Sequence, residues 1–116
     1  GLGRSDVFGA AAGGARLDDP ACDLAVAAAV ASAASGVPAP PASAFVGEIG
    51  LTGVVRPAPG MAARLSAARA AGLRTVFVPE GTQPADALRS VQVRHVMQAL
   101  TWAGASAGAW TVGRPP

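Results

Sequence analysis

The chain has 116 residues, nine of them basic and seven acidic, with one histidine and one cysteine. That length allows one domain with one modest core and excludes two. Half of the residues are apolar, mostly alanine and valine, so the core is built from small side chains and a partner domain or subunit is expected to support it.

All nine basic residues are arginine, and lysine is absent. Arginine enrichment accompanied by abundant Ala, Gly and Pro is weak evidence for nucleic acid on its own. The single Cys22 cannot form an internal disulfide or supply a cysteine metal cluster, which fits a cytoplasmic protein. The longest apolar run, Leu24 to Ala34, is about half of the roughly 20 residues a membrane span needs, so no membrane role is expected. The first residues, "GLGRSDVFG", have no signal pattern, and without an initiator Met they read as an amino-terminally truncated piece.

In chain order, "SDVFGAAAGGARL" (5–17) reads as two short strands around a turn or close approach at Gly13 and Gly14. Asp19 suits a helix N-cap, Pro20 the first helical position, and Asp23 the positive end of the helix dipole. The helix from Asp18 stops near Gly36, before a stiff loop with Pro38, Pro40 and Pro41. "AFVGEIG" and "GVVRP" are strand candidates around "GLTG", a hairpin or bulged pair. In "GMAARLSAARAA" (60–71), Met61, Leu65 and Ala68 share one helix face, with Gly72 as the C-cap. "LRTVFVP" is a buried strand, and "SVQVRHVMQALTWAG" a short strand followed by a last helix. The domain is expected over 1–104, with a loosely ordered tail over 105–116.

Three phrases in this order carry a family resemblance: "DVFGAAAGGARLDDPACDLAVAAAVASAASGVPAP", "VGEIGLTGVVRPAPG" and "RLSAARAAGLRTVFVP". Together they resemble the second part of the Lon proteolytic domain, and more closely the carboxy-terminal Lon-like domain of the bacterial RadA (Sms) DNA-repair ATPases. The resemblance implies an α/β (α+β) fold of the ribosomal S5 domain 2-like type, with a small mixed sheet and two main helices. In active Lon-type proteases a serine nucleophile begins the first of these helices and a lysine the second. The matching positions are Ala21 and Ala62, so both halves of a Ser-Lys dyad are missing. A chain without lysine has no such amine to take the hydroxyl proton.

Each remaining reactive candidate also has a plain structural reading. Cys22 at a helix start could be a displaced nucleophile paired with His95, or a small buried thiol. Glu48 stands alone in "GEIG" and suits a structural role beside the turn. Asp18, Asp19 and Asp23 are helix-start acids before they are a metal cluster, and no metal site is expected. "GAAAGG" lacks the lysine and Ser/Thr of a phosphate loop.

The resemblance further implies a parent protein that uses ATP and magnesium, carries a zinc module, forms a ring that is usually hexameric, and acts on single-stranded or branched DNA. This chain itself carries no cofactor motif, and its expected part is a scaffold with a basic face. Arg56, Arg64 and Arg69 are the DNA-contact candidates because they cluster on the hairpin and the next helix, with Arg16 a weaker fourth. Two rivals stay in view: a free-standing pseudoprotease that binds peptides, and a Lon-family hydrolase with a non-standard nucleophile.

Overall fold

The computed structural model describes residues 19–103. The expected strands within 5–17, Asp18, Arg16 and the carboxy-terminal tail lie outside the described residues. Asp19 has extended backbone, and its side chain accepts from the Ala21 N–H at 3.0 Å, so it caps a 3-10 turn over Pro20–Cys22 that leads into helix α1, Asp23–Ser35. Gly36 ends that helix. Strand β1 is Ser43–Phe45; β2, Glu48–Ile49, and β3, Val55–Arg56, form a hairpin. Helix α2 is Met61–Ala70, followed by strands β4, Thr75–Pro79, and β5, Arg89–Val93, and a short helix α3, Val96–Ala99.

β1, β4 and β5 form a parallel sheet in the order β1-β4-β5, with Phe45 opposite Phe77 and Val76 opposite Ser90. The β2–β3 hairpin is a separate antiparallel pair with Glu48 opposite Arg56. The α/β fold class therefore holds, and its parallel and antiparallel pairings fall into two sheets. "AFVGEIG" is not one strand. It divides at Val46 and Gly47, with its first half in the parallel sheet and its second in the hairpin. Only α2 is a helical crossover between described parallel strands; β4 returns to β5 through the loop 80–88.

β4 is central, and everything on it after Thr75 is buried, as expected of a parallel strand covered on both faces. The core joins Leu24, Ala25, Ala28 and Ala31 of α1 and Leu65 and Ala68 of α2 to Phe45, Val76, Val78 and Leu100. Phe45 and Phe77, partners in register, stack with ring centroids 4.5 Å apart. Beyond Leu24, helix α1 contacts the core through alanine, which permits close approach but buries little area per residue. Its opposite side exposes Val26 and Val30.

Candidate functional site

The first turn of α1 is fixed to the chain that joins the two sheets. The Gly47 N–H donates to the Ala21 carbonyl at 3.0 Å, the Leu24 N–H donates to the Gly47 carbonyl at 3.1 Å, and the Ile49 N–H donates to an Asp23 carboxylate oxygen at 3.1 Å. Gly47 has no room for a side chain here: a Cβ would lie 2.9 Å from Val55 Cγ1. The frame of a helix-start site is thus held by main-chain bonds and by Asp19 and Asp23, not by the residue at its centre.

That residue, Ala21, is 2 % exposed and packs with Val46 and Ala58 against Met61, the first residue of α2. Ala62, the next residue, is exposed and lines a pocket of about 440 Å³ between α2 and the loop after β4. The two positions that the resemblance assigns to the dyad thus stand at the starts of α1 and α2, with Met61 packed against the cluster that holds Ala21. Neither alanine carries a proton-transfer group or a nucleophile.

Arg64, two residues further along α2, donates to Asp19 at 2.8 Å and to the Pro59 carbonyl at 3.0 Å. Its side chain is 14 % exposed and that of Asp19 21 %. Arg64 therefore clamps the start of α2 to the cap of α1. Arg56 pairs with Glu48 across the hairpin at 3.1 Å and remains 57 % exposed, which gives Glu48 the structural partner expected of it. Arg94 lies 3.9 Å from Glu80. The other described arginines, Arg69, Arg74 and Arg89, are exposed and have no ion pair among the described residues. They share one end of the molecule. Arg69 is in the last turn of α2, Arg74 precedes β4, Arg89 opens β5, and the Arg89 N–H donates to the Arg74 carbonyl at 2.8 Å. Sequence spacing could not group them, because the pairing of β4 with β5 brings Arg74 and Arg89 together.

Cys22 is buried at 1 %, the plain reading of that thiol. Both ring nitrogens of His95 are engaged elsewhere: Nδ1 accepts from the Met97 N–H at 3.2 Å, which leaves the hydrogen on Nε2, 3.0 Å from the Thr52 carbonyl. With Gln98, His95 forms a capping box for α3. The structure therefore places this histidine where a strand-end or surface reading of it expects: exposed, two residues beyond β5, at the start of α3 and against the hairpin turn.

Among the described residues, no group of three His, Cys, Asp or Glu could hold a metal ion, and no helix is long and apolar enough to cross a membrane.

A capped first helix, a glycine-bearing hairpin pinned to it and a second helix leading into a parallel strand are the parts of a Lon-type proteolytic domain. Comparison with known families agrees: residues 8–103 match the Lon protease (S16) C-terminal proteolytic domain. The chain belongs to that family. Within curated proteins it is similar to three named DNA repair protein RadA: from Mycobacterium tuberculosis, 42% identical over 80 residues (69% of this chain, 17% of the relative); from Streptococcus pyogenes serotype M3, 40% over 93 residues (79% and 20%); and from Streptococcus pneumoniae, 41% over 81 residues (70% and 19%). The matched region is about a fifth of each relative's length.

Proposed function

We propose that this chain is a non-proteolytic Lon-like scaffold of a RadA-type DNA repair protein, which helps to build a ring and presents arginines to DNA phosphates. The observation that carries the reading is the pairing of 40–42% identity to DNA repair proteins with alanine at both dyad positions, Ala21 and Ala62. Burial of Cys22 and the engagement of both His95 nitrogens speak against a replacement nucleophile and base. In this reading ATP hydrolysis, magnesium and zinc belong to other parts of a cytoplasmic, hexameric parent that extends strand exchange at DNA branches.

The DNA face is best supported at Arg69, Arg74 and Arg89, whose charges are not spent within the described chain. Arg56 can join them by exchanging Glu48 for a phosphate, because that pair is exposed and individually weak. Arg64 serves the fold. Guanidinium groups pair with phosphate through two parallel hydrogen bonds and read no sequence, so binding is electrostatic and independent of base order. A net charge of +2 makes one copy a weak binder, and repetition around a ring supplies avidity.

The test is a salt titration of binding to single-stranded and branched DNA by the full ring. Replacing Arg69, Arg74 and Arg89 with alanine is expected to weaken all sequences equally and to flatten the slope of log K against log salt by roughly two to three units. Unchanged slopes with an intact ring would place the DNA face elsewhere. A peptide-binding role without DNA is the second reading, and the apolar lining of the α2 pocket favours it; it predicts no salt-dependent DNA binding in either protein.

A further inference from the structure

Strand β5 is an edge of the parallel sheet, and the ladder shows which of its groups face outward. The Arg89 N–H donates to the Arg74 carbonyl at 2.8 Å and the Val93 carbonyl accepts from the Glu80 N–H at 2.9 Å. Arg89, Val91 and Val93 therefore turn their main-chain groups toward β4. The N–H and C=O of Ser90 and Gln92, the alternate residues, point away from β4, and no strand among the described residues pairs with them. Just past β5 the edge is closed, because the Val55 N–H of the hairpin donates to the Arg94 carbonyl at 2.9 Å. The open part is thus a short notch from Arg89 to Gln92. Neither a proline nor a bulge blunts it, and Leu88 and Val91, only partly buried against the core, add apolar surface beside it. Such an edge is ready to pair with another extended chain.

Charge decides what kind of chain fits. Arg89 opens β5, Arg74 is bonded to it through the main chain, and Arg69 lies at the same end of the molecule. All three are exposed and have no ion pair among the described residues, so an acid brought to this end of the notch breaks no existing bridge. Asp86, exposed in the loop before β5, leaves the arginines in excess.

We propose that the Ser90–Gln92 edge of β5 takes the extended, acidic carboxy-terminal segment of a partner protein as an added antiparallel strand. Antiparallel pairing is the more stable kind and sets the carboxy terminus beside Arg89. Ser90 and Gln92 then each exchange two main-chain hydrogen bonds with the residue opposite. Main-chain bonding supplies attraction to any extended chain, and the pairing of acids and terminal carboxylate with Arg89 and Arg74 supplies selectivity. This site goes beyond the DNA scaffold reading. Peptide and DNA share the arginines, whereas the strand edge serves the peptide alone.

The test uses the full chain and a fluorescein-labelled peptide, Thr-Val-Thr-Val-Glu-Glu with a free carboxy terminus, followed by fluorescence anisotropy. Two versions carry N-methyl groups on alternate amides, one in each phase. One phase is expected to weaken binding about tenfold or more and the other less than about twofold, because only alternate amides face β5. Ser90→Pro removes an N–H that the ladder does not use and a hydroxyl without a hydrogen-bond partner, and an edge strand tolerates proline in that orientation. It should keep the parent's circular dichroism and DNA binding and lose about tenfold in peptide affinity. Should it misfold, the two methylation phases decide on the parent chain. An amidated Thr-Val-Thr-Val-Gln-Gln should bind the parent as weakly as the acidic peptide binds the Arg74→Ala, Arg89→Ala chain. Equal loss from both phases, no preference for the acidic peptide, or a folded Ser90→Pro chain with full peptide affinity overturns the proposal. So does a dimer of the parent that Ser90→Pro dissolves, which would put a second copy on the edge. A parent that takes DNA and no peptide overturns this inference and leaves the DNA reading intact; one that takes the peptide in a single phase and no DNA supports the inference and overturns the DNA reading alone.

Discussion

Gly53 is the position where one methyl group should do most damage. Its φ is +88°, a region that costs an L-residue roughly 1–2 kcal/mol. A Cβ built there would lie 2.5 Å from His95 Nε2 and 2.8 Å from Cε1, so the ring must move. Displacing the ring releases the Met97 N–H at the start of α3, a cap worth about 0.5–2 kcal/mol. It also breaks the bond to the Thr52 carbonyl, worth about 0.5–1.5 kcal/mol. Both bonds are exposed, so the lower halves of these ranges apply, and Gly53→Ala is expected to cost about 2–4 kcal/mol. In urea, with m near 1–3 kcal/mol/M, the midpoint should fall by roughly 1–2 M. His95→Ala supplies the control. Alone it should cost about 1–2 kcal/mol, and in its background Gly53→Ala should cost only the φ strain. The double variant should therefore be more stable than the sum of the singles predicts, by about 1–2 kcal/mol. Strict additivity, or a Gly53→Ala cost below about 0.5 kcal/mol, would refute the argument that His95 and the hairpin turn act as one unit.

Ala21→Ser places a hydroxyl at a 2 % exposed site against Val46, Ala58 and Met61; it should cost about 1–3 kcal/mol and give no cleavage of a fluorogenic peptide, and measurable turnover would contradict the non-proteolytic reading. Arg64→Ala removes the guanidinium bonds to Asp19 and to the Pro59 carbonyl and should destabilise by about 1–3 kcal/mol in urea unfolding, whereas Arg64→Lys, which keeps the charge and loses the planar fork, should recover only part of that. Gly47→Ala should cost about 1–3 kcal/mol through crowding with Val55 and Pro79; a loss within 0.5 kcal/mol of the parent would mean that the hairpin can move away from α1.

Much of the backbone was legible in local chemistry. Asp19 and Pro20 announced the start of α1, and the run Thr75–Pro79 announced a buried strand. The spacing of Met61, Leu65 and Ala68 gave the inward face of α2. What stayed hidden depends on contacts distant in sequence. The buried side of α1 left no pattern, because Val26 and Val30 outside are as apolar as Ala25 and Ala28 inside. The split of "AFVGEIG" follows from Phe45 pairing with Phe77, more than thirty residues away, which the segment's own composition cannot announce. Arg64 reads in the sequence as a DNA-contact candidate beside Arg56 and Arg69, although its i, i+4 spacing to Ala68 already puts the two on one helix face. Its position beside Met61 and within reach of Asp19 turned it inward. Arg74 and Arg89 are fifteen residues apart in sequence and hydrogen-bonded neighbours in space.

On the proposed non-proteolytic reading, the alanines at Ala21 and Ala62 have a physical explanation in the same contacts. In this domain the groups that would orient a helix-start nucleophile also hold α1, the hairpin and α2 together. The Asp19 carboxylate caps the turn and receives Arg64, Gly47 donates to Ala21 of the turn and accepts from Leu24 of α1, and Met61 packs against the cluster of Ala21, Val46 and Ala58. Losing the reactive side chains costs none of these bonds, whereas losing Asp19 or Gly47 disturbs contacts among three elements. If the proposed reading holds, the nucleophile and base can be replaced while the fold preserves the surrounding motif. The motif then reports architecture, and the side chains at Ala21 and Ala62 are the ones that bear on chemistry.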